Sequence, residues 1–345
     1  MIKWNIAGVV IAILLATTLL LMGSFFVFQL ANAPTPDEET LSQTESSQTA
    51  TTGGESTTDT TEETTEETTE NTSEPENNDP PSGNVTLSGR HAFVYDYSNG
   101  ETLYSKGSLT EHIAPASITK LFTAYVALQY LSPNTVLTAG SEVNMVSSDA
   151  SRAWITYGQK VTTEMCVQGM LMCSGNDAAY ILAAAAGRVI KNDSSLSAKD
   201  AVAAFVEEMN LQAQALGLSN THFANPDGMD AEGHYTCLQD LILIASLSME
   251  NTIIRKYTAM YQADVTYASS QTNSWKNTNL LLKTDSEYYN STVCGLKTGY
   301  TKNAGNCLLS AFKRNGSYVF ICIMGCPKDT DRYKDTLSLY NAYCK

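Results

Sequence analysis

Basic residues are nearly absent from the first ninety positions of this chain, where Lys3 is the only Lys or Arg before Arg90. The stretch from Asp37 to Asp79 carries 14 of the 36 acidic residues. From Arg90 onward the balance is 20 basic against 22 acidic, so the formal charge of −15 belongs mainly to the N-terminal tract. Any packed domain is therefore confined to the later residues, and a core of substantial size fits from about residue 87 to Lys345. No basic stripe occurs, so nucleic acid is not an expected partner.

Ile6 to Leu30 is an almost unbroken apolar run. As a helix of ~25 residues it would reach about 37 Å, enough to cross a hydrocarbon core of ~30 Å. Ala31-Asn32-Ala33 offers a rival reading as a signal-peptide cleavage site. The run exceeds the usual ~7–15-residue signal core, and Pro34 would follow the cut. Residues 1–33 are therefore expected to be an uncleaved membrane anchor, with secretion after cleavage as the alternative. Lys3 before the run places the N-terminus in the cytosol and the remainder outside the cell. Residues 34–86 are rich in Thr, Ser and Glu and carry few apolar side chains. They are expected to remain disordered, as a tether or plain spacer.

Beyond the tether, patterns of strand and helix follow one another. Ala92–Tyr97 and Thr102–Tyr104 flank Asn99-Gly100, which predicts a hairpin. An apolar helix is expected from Ser117 to Leu131. Further helices are expected at Thr163–Met172, Asp177–Ile190, Ala198–Ala215 and Cys237–Met249. Strands return at Ser291–Thr298, Asn306–Phe312 and Tyr318–Met324, followed by a helix at Asp331–Tyr343. Strands at both ends with helices between predict one antiparallel sheet that gathers both ends, plus an all-helical lobe.

Three short motifs carry chemistry. Ser117-Ile118-Thr119-Lys120 opens the apolar helix after Pro115, and residues three apart share a helical face. A serine there lies near the positive helix end, and a lysine one turn inside is desolvated, which suits it to act as a base. A plain N-cap with a snorkelling lysine is the alternative. Ser310-Ala311-Phe312-Lys313 has the same spacing on a strand, where serine and lysine face opposite ways, and is expected to be a coincidence. Ser174-Gly175-Asn176 sits between two expected helices, where Asn176 also suits a capping role. Lys297-Thr298-Gly299 ends an expected strand. Its ammonium and hydroxyl can receive a carboxylate, and Gly299 permits close backbone approach.

In this order the three motifs resemble those of penicillin-binding proteins and serine β-lactamases. Longer runs resemble the low-molecular-weight D-alanyl-D-alanine carboxypeptidases: Ala114–Leu121, Cys173–Ala179, Thr221–Met229, and Gly295–Thr301 with Ala304-Gly305. The resemblance implies an α/β (α+β) fold of the β-lactamase/penicillin-binding-protein type across residues 87–345. That fold has a five-stranded antiparallel sheet with flanking helices and a helical lobe. It also implies that Ser117 attacks the bond between two D-alanines while Lys120 takes its proton. Ser174 relays a proton to the leaving nitrogen, Asn176 holds a substrate amide, and Lys297 with Thr298 holds the terminal carboxylate, Gly299 belonging to the same substrate-binding run. The N–H groups of Ser117 and Tyr300 form the oxyanion hole. The implied partners are peptidoglycan pentapeptides ending in D-Ala-D-Ala and β-lactams as covalent inhibitors. Arg332 resembles an arginine of relatives; a surface ion pair is its expected role, with carboxylate steering as the alternative.

The resemblance is incomplete. Many relatives carry a C-terminal β-rich domain and membrane helix, whereas here the N-terminal run is expected to provide the attachment. A β-lactamase is a rival reading, weakened because no Glu-x-x-Leu-Asn run lies between the second and third motifs. A non-catalytic sensor on a surface stalk is another. The eight cysteines lie mostly in apolar patterns and are expected to be largely free thiols. His91, His112, His222 and His234 lack ligand-like spacing, so neither metal nor cofactor is expected.

Overall fold

A computed structural model of the chain describes residues 85–267 and 271–344. The expected anchor, and the tether up to residue 84, lie outside the described residues. Among the described residues no helix is long and apolar enough to cross a membrane.

Strands β1 (His91–Asp96) and β2 (Glu101–Lys106) form the expected hairpin. At its tip Gly100 adopts a φ of 68°, which a residue without Cβ takes at no steric cost. A 3-10 turn at Ala116–Ile118 then leads into α1 (Thr119–Tyr130). This helix is buried from Thr119 through Ala124 and again at Val126 and Ala127. A helix apolar on nearly every side belongs at the centre of a lobe, and other helices surround this one.

A short antiparallel pair, β3 (Val136–Thr138) and β4 (Lys160–Thr162), precedes α2 (Thr163–Met172), whose first turn is capped by the Thr162 hydroxyl. The lobe continues through α3 (Asn176–Ile190), α4 (Ala198–Ala215), α5 (Leu238–Glu250) and α6 (Thr252–Thr258). A second hairpin follows, β5 (Gln262–Thr266) with β6 (Thr272–Lys276). The chain then returns to the main sheet as β7 (Val293–Thr301), β8 (Gly305–Arg314) and β9 (Ser317–Cys326), and closes with α7 (Asp329–Tyr343).

The main sheet is antiparallel with strand order β2-β1-β9-β8-β7. Successive residues serve opposite faces, and both faces are covered. Phe93, Leu309, Phe320 and Cys322 face the helical lobe. Val94, Leu308 and Ile321 pack with Tyr333 and Leu339 of α7. The central strand β9 is consequently buried without a break from Val319 to Met324.

One sheet gathering both ends, beside a helical lobe, is the expected arrangement. The β3–β4 and β5–β6 pairs and α6 go beyond the sequence reading: these elements are short, and no Asn-Gly turn marks them as it marks β1 and β2. The strand expected to end at Thr298 runs on to Thr301, so the third motif lies within β7 rather than at its end. On β8, Ser310 is fully buried while Lys313 is exposed, as expected for the coincidental motif. All eight cysteines are free thiols.

Candidate active site

The turn before α1 is the first part of the site. Ala116 has a φ of 49°, a conformation that costs a residue with a Cβ roughly 1–3 kcal/mol. Two glycines make room for this turn. A Cβ on Gly228 would lie 1.9 Å from the Ala116 carbonyl oxygen, and one on Gly299 would lie 2.9 Å from the Ala116 Cβ and 3.2 Å from the Ser117 nitrogen. The turn is thus wedged between the 225–229 loop and β7. Ser117 emerges from it half-buried, with its side chain on the wall of a cleft.

Lys120 lies beneath that cleft, fully buried. Its Nζ donates to Ser117 Oγ at 2.8 Å and to the Asp227 carbonyl oxygen at 2.5 Å. Burial pulls its pKa down to about 8, against the opposing influence of the Asp227 and Asp177 carboxylates. The spacing argument therefore holds: one helical turn brings a lysine of reduced basicity onto the serine hydroxyl.

The second motif lies where α2 passes into α3. Ser174 is buried apart from a face on the cleft and has a φ of 59°, again left-handed. Lys120 bonds to Ser117 and not to Ser174. The capping role considered for Asn176 is incorrect. Gly175 occupies the cap position, and Asn176 is the first helical residue, its Nδ2 donating to Asp227 Oδ2 at 2.7 Å. A buried carboxylate competes successfully for that amide. Asp177 is also engaged, its oxygens accepting from Ala153 N at 2.8 Å and Ile155 N at 2.9 Å. With the Asn176 N–H on Ser151 O at 2.8 Å, these bonds fix the cleft wall formed by Asp149, Ala150 and Ser151. Cys173, beside Ser174, remains a neutral thiol, its pKa pushed up to about 12 by burial.

Strand β7 supplies the third motif. Lys297 is fully buried, with Nζ donating to Thr298 O at 3.1 Å. Burial, then the nearby charges of Lys120 and Arg332, hold its pKa well below that of a free lysine. Thr298 meets Thr278 hydroxyl to hydroxyl at 2.5 Å, and Tyr300 is 65% exposed on the rim. Arg332 corrects an expectation. It does pair with Asp329, yet it is only 7% exposed, with Nη1 donating to Gly299 O at 3.1 Å and Cys307 O at 3.4 Å. A guanidinium bridging two strand carbonyls beside the cleft is not a surface pair.

The cleft has a volume of about 470 Å³ and is lined by Ser117, Ser174, Asn176, Thr298, Gly299, Tyr300 and Arg332, among others. Lys120 and Lys297 lie behind its surface, and the Arg332 guanidinium on the lining favours an anionic ligand. Residues that the motifs do not indicate are Asp227, Asp230 and Thr278. Asp227 lies inside one of the family-like runs, which is the available signal. Asp230 accepts from Thr301 Oγ1 at 2.6 Å and from Asn303 N at 3.0 Å, bracing the end of β7.

A family model described as D-alanyl-D-alanine carboxypeptidase matches residues 74–328. The chain belongs to this family. It is 33% identical over 266 residues to a D-alanyl-D-alanine carboxypeptidase of Streptomyces sp. (strain K15), covering 74% of this chain and 87% of that protein. It is 29% identical over 247 residues to the D-alanyl-D-alanine carboxypeptidase DacF of Bacillus subtilis, covering 70% of this chain but only 59% of that protein's length. The crystal structure of the Streptomyces K15 DD-transpeptidase superposes with a TM-score of 0.65 at 30% identity, covering 74% of this chain and 97% of that one. The fold is therefore the penicillin-binding-protein fold implied by the motifs.

Proposed function

We propose that this chain is a serine D-alanyl-D-alanine carboxypeptidase that removes the terminal D-alanine from peptidoglycan stem peptides. The observation that carries the reading is the buried Lys120 ammonium on Ser117 Oγ at 2.8 Å, in a member of this family. Deprotonated Lys120 accepts the hydroxyl proton as Ser117 Oγ bonds to the carbonyl carbon between the two D-alanines. The N–H groups of Ser117 and Tyr300 receive the developing oxyanion; loss of one such donor typically costs ~10²–10³ in rate. The carbon–nitrogen bond then breaks, and the proton passes through Ser174 to the departing D-alanine amine. Water hydrolyses the ester and restores Ser117. Asn176 holds the upstream amide, while Thr298, Gly299, Lys297 and the nearby Arg332 attract the terminal carboxylate. The Arg332 guanidinium on the cleft lining supports that polarity.

β-Lactams acylate Ser117 in this reading. The apolar run from Ile6 to Leu30 supports a single-pass membrane anchor with the enzyme outside the cell, held on the acidic tether of residues 34–86. Intact-protein mass spectrometry after exposure to benzylpenicillin tests the assignment against a β-lactamase. A long-lived adduct that maps to Ser117 is expected. Rapid return of free protein with the drug hydrolysed would make the chain a lactamase.

A further inference from the structure

Asp227 touches both functional arms of the site, although none of the three motifs contains it. Its carbonyl oxygen accepts from Lys120 Nζ at 2.5 Å, and its carboxylate accepts from Asn176 Nδ2 at 2.7 Å and from Met229 N at 3.3 Å. The residue is 2% exposed. Its loop cannot shift easily, because Gly228 at φ 87° lies against the Ala116 carbonyl.

A carboxylate accepts hydrogen bonds and donates none, so Asp227, whose pKa burial raises while Lys120 pulls it down, decides in its ionised form which end of the Asn176 amide it meets. It takes the nitrogen and leaves the carbonyl oxygen of Asn176 for the cleft, where an acceptor can receive the N–H of a substrate amide. We propose that Asp227 is a positioning residue of this carboxypeptidase site, orienting the Asn176 amide and holding an anionic charge beside Lys120. The inference rests on the function proposed above.

The groups facing Lys120 come from several elements: Asp227 in the loop, Asp177 on α3, Cys173 before it, Lys297 on β7 and His234 in the 231–236 segment. Burial opposes the ammonium, while the two carboxylates favour it. The Asp227 charge therefore keeps Lys120 basic enough to hand its proton on to the leaving amine.

Asp227→Asn and Asp227→Ala separate the two effects. The asparagine variant retains an oxygen for Asn176 Nδ2 but loses the charge; the alanine variant loses both. The pH dependence of benzylpenicillin acylation and of kcat/KM for a D-Ala-D-Ala peptide would be measured on the full chain. For Asp227→Asn the acid limb is expected to move ~1 pH unit lower, so that acylation below neutrality becomes faster than in wild type. Asp227→Ala shares that shift and loses a further ~10-fold or more in peptide kcat/KM, which Asp227→Asn restores. If Asp227→Ala does not fold by circular dichroism, Asn176→Ala serves instead, losing peptide turnover with the acid limb unmoved. An Asp227→Asn limb that coincides with wild type, or no difference between the asparagine and alanine variants on the peptide, overturns the proposal. Wild type that neither acylates nor releases D-alanine would overturn the function itself, a different outcome.

Discussion

The bare α-carbon of Gly299 packs on Ala116, the residue before the proposed nucleophile Ser117, so tightly that an added Cβ would lie 2.9 Å from the Ala116 side chain and 3.2 Å from Ser117 N. The contact joins the sheet to the turn that carries Ser117 and sets the spacing between Ser117 and β7. Gly299→Ala should therefore push β7 away from Ser117. A displacement of that kind costs about 10² in rate when the reacting groups must align. Stopped-flow acylation by benzylpenicillin should show that loss while circular dichroism remains that of wild type.

Lys120 must be deprotonated to accept a proton, so acylation should accelerate as pH rises through about 8. Lys120→Met removes the base and should slow acylation by ~10²–10⁴. The same change leaves the Asp227 carbonyl oxygen and two neighbouring carboxylates without their buried partner, so the melting temperature should fall. A variant that acylates at the wild-type rate would exclude Lys120 as the base. Rate and melting curves on one preparation check both statements.

The contact between Ser117 and Lys120 is readable in the sequence because helical spacing is a local property: the two need only one turn to meet. The coincidental pair at Ser310 and Lys313 is set aside on the same ground, and β8 bears that out. What escapes a sequence reading is set by tertiary contact. Lys120 meets Asp227 across 107 positions, and Thr298 meets Thr278 across 20, separations that no local pattern encodes. Asn176 has a sound capping pattern, and a carboxylate from a distant loop takes its amide instead. The burial of Arg332 depends on the strand carbonyls above it, which become its partners only once β7 and β8 pair.

His234 gives the fold a dependence on pH. Its Nδ1 accepts from Ala224 N at 2.9 Å, which leaves the hydrogen on Nε2 to donate to Thr119 Oγ1 at 3.0 Å. Burial lowers its pKa to about 4 from the usual 6.5. The folded protein thus binds this proton less readily than the unfolded chain does. The stabilisation is fully present above about pH 6.5 and is lost as pH falls toward about 4, with a slope of up to about 1.4 kcal/mol per pH unit. Urea midpoints at neutral and mildly acidic pH should show a steeper decline for wild type than for His234→Gln, whose side chain cannot take up that proton.

Release of D-alanine from a peptide ending in D-Ala-D-Ala is the most direct test of the proposed catalysis. The full-length chain should liberate one D-alanine per peptide turned over, and Ser117→Ala should liberate none above background while retaining the wild-type circular dichroism spectrum. A wild-type chain that releases no D-alanine, or a Ser117→Ala variant that still does, would contradict the assignment of Ser117 as the nucleophile of a carboxypeptidase.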